Sequence, residues 1–225
     1  MEMEIVLPDE VAVMTLPEVT FFPQALLPLH IFEPRYRHML KDVLSTHRLF
    51  AVAGLDAKAS STAGETSYRI GTIGIVRACQ ENANGTSNLL LQGLARIEFL
   101  EFLGGDPYPR GRIRALASKA GADGNMNIRL RRSLERLIGL KRQLGGTVPN
   151  EFTRFLETVD DPETFVDLAA YTLCDDAKLK QKLLETLNVH QRLLLYSRYL
   201  RDEISRLKLQ RRLQGDLPDD SISSN

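Results

Sequence analysis

The apolar period of this chain changes once, across Ser118–Asn125 (SKAGADGN). Upstream, short runs rich in β-branched and apolar residues are separated by Gly, Pro and Asn. Downstream, apolar residues recur three and four positions apart. Side chains repeat every two residues on a strand and every 3.6 on a helix. A chain that keeps the two periods in separate halves belongs to the α+β class. The spacing therefore predicts a small, highly twisted sheet or closed β barrel with one short helix over residues 1–118. A helical bundle ending in a long helix is expected over 119–214, and a polar disordered tail over 215–225.

Within the first half, Phe21–Leu40 (FFPQALLPLHIFEPRYRHML) carries the densest signals. Pro23 keeps Phe22 out of the α region. Leu26–Phe32 is an apolar run interrupted by Pro28, which cannot donate to a ladder and so predicts an edge or irregular strand. Glu33-Pro34 starts a helix expected to reach Leu44, since proline suits the first helical position. Its apolar face is Tyr36, Met39, Leu40 and Val43.

Further strands are expected at Val11–Leu16, Leu49–Leu55, Gly71–Gln80, Thr86–Gly93, Ala95–Leu103 and Gly111–Ala117. Asn84-Gly85 predicts a tight hairpin turn. Between Ile97/Phe99 and Leu100/Phe102 the apolar parity switches, which predicts a bulge. Asp56–Ser67, rich in small residues, reads as a mobile surface loop. In the second half, Ile128, Leu130, Leu134, Leu137, Ile138 and Leu144 mark a helix of about 18 residues, ended by Gly145-Gly146. Helices follow at Glu151–Val159, from Pro162 to Thr172 with Asp161 as cap, from Asp175-Asp176, and over His190–Leu213. Asn188 separates the last two. Leu193, Leu200 and Leu207 lie seven apart.

Charge and composition exclude several classes. Lys+Arg and Asp+Glu both total 29 in 225 residues, so there is no basic field of the kind a phosphate backbone requires. Cys79 and Cys174 fit neither a disulfide framework nor a zinc cluster, and read as reduced, buried thiols. His30, His38, His47 and His190 make no metal pair at helical spacing, so no metal or cofactor is expected. The acidic N-terminus lacks a signal-peptide pattern, and no run of about 18 apolar residues occurs. A cytoplasmic protein without a membrane span is expected.

The phrase LPLHIFEPRYRHML resembles the signature of the N-terminal domain of the Lon protease family, a PUA-like module, which implies a highly twisted β pseudo-barrel followed by a helical bundle. Gly71-Thr72-Ile73-Gly74, Gly93-Leu94-Ala95-Arg96, Pro107-Tyr108-Pro109, Asp167-Leu168-Ala169-Ala170 and Gln181–Leu193 are similar to further segments of that family, in the same order. The resemblance spans roughly residues 10 to 210 and departs at Gln24, where the family often has glycine. No GxxxxGK[ST] phosphate cradle or Ser-Lys peptidase motif occurs. The resemblance implies a standalone, non-enzymatic module for substrate recognition and protein binding, related to an ATP-dependent protease.

On that basis the expected contact surface is Phe21, Phe22, Leu26, Phe32, Arg35 and Arg37, taking unfolded or extended polypeptide. Arg35 and Arg37 could grip carboxylates or carbonyl rows. Two alternatives follow from the residues. One is nucleic-acid binding through the basic helix carrying Arg129, Arg131, Arg132, Arg136, Lys141 and Arg142, weakened by the absence of interleaved aromatics. The other is a self-associating scaffold or adaptor, a homodimer through the C-terminal helix.

Overall fold

The computed structural model describes residues 7–55 and 67–215. The loop expected at 56–67 and the tail expected from 215 fall almost wholly outside the described residues. Six strands and six helices follow in order: β1 (Glu10–Leu16), β2 (Leu26–Ile31), α1 (Pro34–Ser45), β3 (Leu49–Gly54), β4 (Ile70–Glu81), β5 (Ser87–Leu103), β6 (Arg110–Leu116), α2 (Gly124–Gln143), α3 (Asn150–Glu157), α4 (Pro162–Leu173), α5 (Ala177–Glu185) and α6 (Val189–Gly215).

The sheet runs β2-β5-β4-β3-β1-β6, and β6 also pairs with β5, so five strands close a ring and β2 hangs on its outside. Closure depends on the length of β5. Its first part, Ser87–Gln92, pairs with β2; its last part, Arg96–Leu103, pairs with β6; β4 lies along most of both. A register shift at Phe99/Glu101 coincides with the parity switch in the sequence, and the extra residue lets β5 bend around the ring. The two runs expected at 86–93 and 95–103 are thus one strand. Gly93 lies where a Cβ would overlap the Phe22 carbonyl, so only glycine admits the Phe22–Pro23 backbone there. The ring is filled by Val11, Val13, Leu49, Ala51, Ile73, Ile97, Phe99 and Ile113.

The chain divides into two compact units, and they are interleaved in sequence. One comprises Met1–Lys119 with Asp167–Leu187; the other comprises Ala120–Val166 with Asn188–Asn225. The first break falls where the period changes. A contiguous helical half over 119–214 does not form, however, because most of α4 and all of α5 belong with the strands. The reason is a buried ion pair: Arg96 of β5 meets Asp167 of α4 at 2.7 Å, and Arg96 Nε also donates to the Leu184 carbonyl (3.0 Å). Both side chains are about 99% shielded, at 2% and 1% exposure. A pair so desolvated survives only with full hydrogen bonding, which fixes this helical segment to the strand unit. Gln181 adds a bond to the Ile70 carbonyl (3.0 Å).

In the other unit, α2 packs along α6. Leu134 and Ile138 of α2 and Leu193, Leu200 and Ile204 of α6 are buried, whereas Ile128, expected on the apolar face, is exposed. Two basic residues of α2 are structural. Arg131 is buried, bonds the Val159 (2.9 Å) and Leu156 (3.3 Å) carbonyls and lies 4.7 Å from the Phe165 ring centroid. Lys141 is buried against Glu203 at 3.6 Å. Asp161 caps its helix as expected, accepting from Thr164 N–H (2.8 Å); Asp176 accepts from Leu179 N–H (3.0 Å), and Asn188, expected only to break the helix, accepts from Gln191 N–H (3.0 Å).

Candidate functional site

Alternation along β2 divides its side chains between two sheet faces. Leu27 and Ile31 are buried and Leu29 half-buried, on the face that meets α1, while Leu26, Pro28 and His30 point outward with Phe32 just beyond the strand. Pairing carries the outward row across the sheet: Leu26 lies opposite Gln92, Pro28 opposite Leu90 and Ala78, His30 opposite Asn88 and Gln80. Leu26 is 50% exposed and Phe32 62%. Exposed large apolar side chains on a folded domain are unremarkable singly and informative in a row. His30 knits the row together, bonding Asn88 Oδ1 through Nδ1 (2.7 Å) and stacking on Phe32 with ring centroids 6.1 Å apart.

The strand also presents a free main-chain edge, and that edge is blunted. In an antiparallel ladder a residue turns both main-chain groups to the same side. The Leu26 carbonyl accepts from the Tyr171 hydroxyl (3.2 Å), so Leu26, Pro28 and His30 all face away from β5. Proline has no N–H to offer, and tyrosine occupies one of the remaining acceptors. Edges treated this way resist pairing with further strands. The exposed surface is therefore one of side chains.

The six residues expected to form a contact surface differ in burial and placement. Phe21 and Phe22 are buried, which corrects their expected place on an exposed rim. The Phe21 carbonyl accepts from Thr72 Oγ1 (2.5 Å), and Phe22 packs edge-on against Tyr171 at 6.5 Å with the Arg96 guanidinium 6.0 Å from its ring. Burying two phenylalanines here stabilises the unit by roughly 2–3 kcal/mol each. Leu26 and Phe32 stand together on the outward face. Arg35 pairs with Glu33 (2.8 Å) and lies over the Tyr36 ring (4.6 Å). Arg37 lines a cleft between α1 and the β4–β5 hairpin. Pro28, His30 and Leu90, not among the six, lie in the same outward row, and the period-two parity of 26, 28, 30 and 32 is the signal that points to it.

All four histidines are held by structural bonds: His30 to Asn88, His38 to the Pro34 carbonyl (2.8 Å), His47 to the Leu49 N–H (3.0 Å) and His190 to Asn127 (2.9 Å). Cys174 is buried and Cys79 is half-buried, which corrects the expectation of two buried thiols. Burial pushes the Tyr171 phenol above its ordinary value of 10.0. Burial, then the hydrogen bond to Asp42 (2.9 Å), raises Tyr108 likewise. Among the described residues, no helix is long and apolar enough to cross a membrane.

Known proteins share both sequence and fold with this chain. Residues 10–202 match the family model of the ATP-dependent protease La (LON) substrate-binding domain. A Lon protease of Dictyoglomus thermophilum is 24% identical over 214 residues, covering 94% of this chain and 26% of that protein. One of Desulfosudis oleivorans is 27% identical over 217 residues, covering 95% and 26%. The chain thus spans about a quarter of the length of these relatives. Among solved structures, the N-terminal domain of a Mycobacterium avium complex Lon protease superposes with a TM-score of 0.65 at 17% identity, covering 87% of this chain and 98% of that one. A Lon N-terminal domain protein from Xanthomonas campestris gives 0.57 at 18% identity, covering 82% and 94%.

Proposed function

Since the chain belongs to the family of the ATP-dependent protease La (LON) substrate-binding domain, we propose that it is a non-enzymatic polypeptide-binding module whose contact surface is the outward face of β2. The observation that carries this reading is the row Leu26, Pro28, His30 and Phe32, exposed and mostly apolar, along and just beyond a strand whose opposite face is core. An extended apolar segment of a client would lay its side chains across this row and Leu90. Main-chain pairing would contribute little, because Pro28 and Tyr171 blunt the edge. The module would work where proteins are synthesised and degraded, in the cytoplasm.

The test is fluorescence anisotropy with a labelled, permanently unfolded polypeptide. The wild-type chain is expected to bind it, and Leu26→Ser with Phe32→Ser to weaken binding tenfold, about 1.4 kcal/mol. Both residues are exposed, so the variants should keep the wild-type melting temperature. Absence of binding at high micromolar concentration, or binding indifferent to both substitutions, overturns the proposal. Nucleic acid is the weaker reading, because Arg131 and Lys141 of the basic helix are consumed by internal bonds.

A further inference from the structure

The face of the sheet opposite the β2 row holds a second feature. Ser87 and Glu81 lie in the row of the buried Ile31, and Cys79 lies in the row of Leu29, so all three face α1. Between them and α1 runs an open cleft of about 730 Å3. Its α1 wall carries Arg37 and Lys41, one helical turn apart and on the same side of the helix.

Several arginines of this unit are paired with carboxylates: Arg35 with Glu33, Arg69 and Arg114 with Glu98, Arg112 with Glu101, Arg96 with Asp167. Arg48 and Arg77 instead donate to the Val76 carbonyl and to Gln92 Oε1. Arg37 and Lys41 form no ion pair among the described residues, although Glu81 lines the same cleft. The Arg37 guanidinium lies beside the turn backbone at Gly85, where φ is 75° and a Cβ would overlap Nη2. A guanidinium without a carboxylate keeps its fork of donors open to an oxyanion. Leu40, Leu44 and Pro34 give the same cleft an apolar wall.

We propose that this cleft binds a small organic anion, with its oxyanion group, carboxylate or phosphate monoester, between Arg37 and Lys41 and its apolar body against Leu40 and Leu44. The site is separate from the polypeptide surface and does not depend on that reading. Glu81 opposes the anion and sets an upper limit on affinity, so its neutralisation tightens binding.

The experiment is a titration of the full chain, followed by amide chemical shifts, with phenyl phosphate, phenylacetate and neutral 2-phenylethanol. Saturable shifts confined to α1 and residues 79–87 are expected with at least one anion. The arm that responds identifies a phosphate ester or a carboxylate as the natural group. Arg37→Gln with Lys41→Gln should weaken binding about tenfold or more, and Glu81→Gln should strengthen it. Leu26→Ser with Phe32→Ser should leave the anion titration unchanged, which separates failure here from failure of the polypeptide surface. Equal shifts with 2-phenylethanol, shifts that never saturate, or an affinity untouched by the double glutamine variant overturn the proposal.

Discussion

Arg96 and Asp167 show how much one pair of residues decides. Each is shielded from water, so either one alone would be a buried, uncompensated charge. Asp167→Ala is expected to destabilise the strand unit by about 3–5 kcal/mol, read from its urea unfolding midpoint. Replacing both partners together, Arg96→Met with Asp167→Leu, should recover most of that loss, because the desolvation cost disappears with the charges. Additive losses in the double variant would show that the pair is not what binds the segment to the strands. Tyr171 makes a second residue-scale point. Its phenol is raised by burial, so the folded state keeps a proton that the unfolded state releases near 10.0. Its contribution is intact below that pH and is lost as pH climbs through the folded value. Tyr171→Phe should therefore flatten the alkaline limb of a stability profile, and the wild-type phenolate should appear late in a spectrophotometric titration.

At the scale of elements, β2 is an exposed edge kept from pairing by one proline and one tyrosine. Pro28→Val with Tyr171→Phe restores an amide and frees the Leu26 carbonyl. The expected outcome is concentration-dependent association in light scattering, with Leu26→Ser and Phe32→Ser alone remaining as the wild type. A double variant that stays monomeric would mean other features guard the edge. Pro28 announced this strand in the sequence, and Glu33-Pro34 announced α1 to within a residue of its end. The bulge in β5 and the Asn84-Gly85 turn were equally readable, since each rests on local chemistry. The fate of Phe21 and Phe22 was not. Two apolar residues before a proline fit a rim or a core equally well, and only the approach of Thr72, Tyr171 and Arg96, distant in sequence, buries them. Nor could the sequence show that Arg131 and Lys141 of the basic stripe on α2 turn inward, because Val159 and Glu203 lie far along the chain.

At the scale of the molecule, the interleaving of the two units governs what can be cut away. A fragment ending at Lys119 has every strand but lacks Asp167, Leu184 and Gln181, leaving Arg96 without the partners that surround it. That fragment is expected to be expanded and poorly cooperative in thermal circular dichroism, although a boundary placed by periodicity alone would call it a complete domain. Adding Asp167–Leu187 back through a designed linker should restore a cooperative transition. A fragment 1–119 that melts as sharply as the whole chain would contradict this account.

The same interleaving bears on how such a chain can be inherited. Its two units are joined by chain crossings at 119/120, 166/167 and 187/188. No single genetic crossover along the gene can part the two units cleanly, because any cut that carries one whole also carries a piece of the other. Recombination that trades one half for another would strand an arginine in an apolar interior. Selection would then discard nearly every such exchange, and the two units would travel through descent as one heritable block.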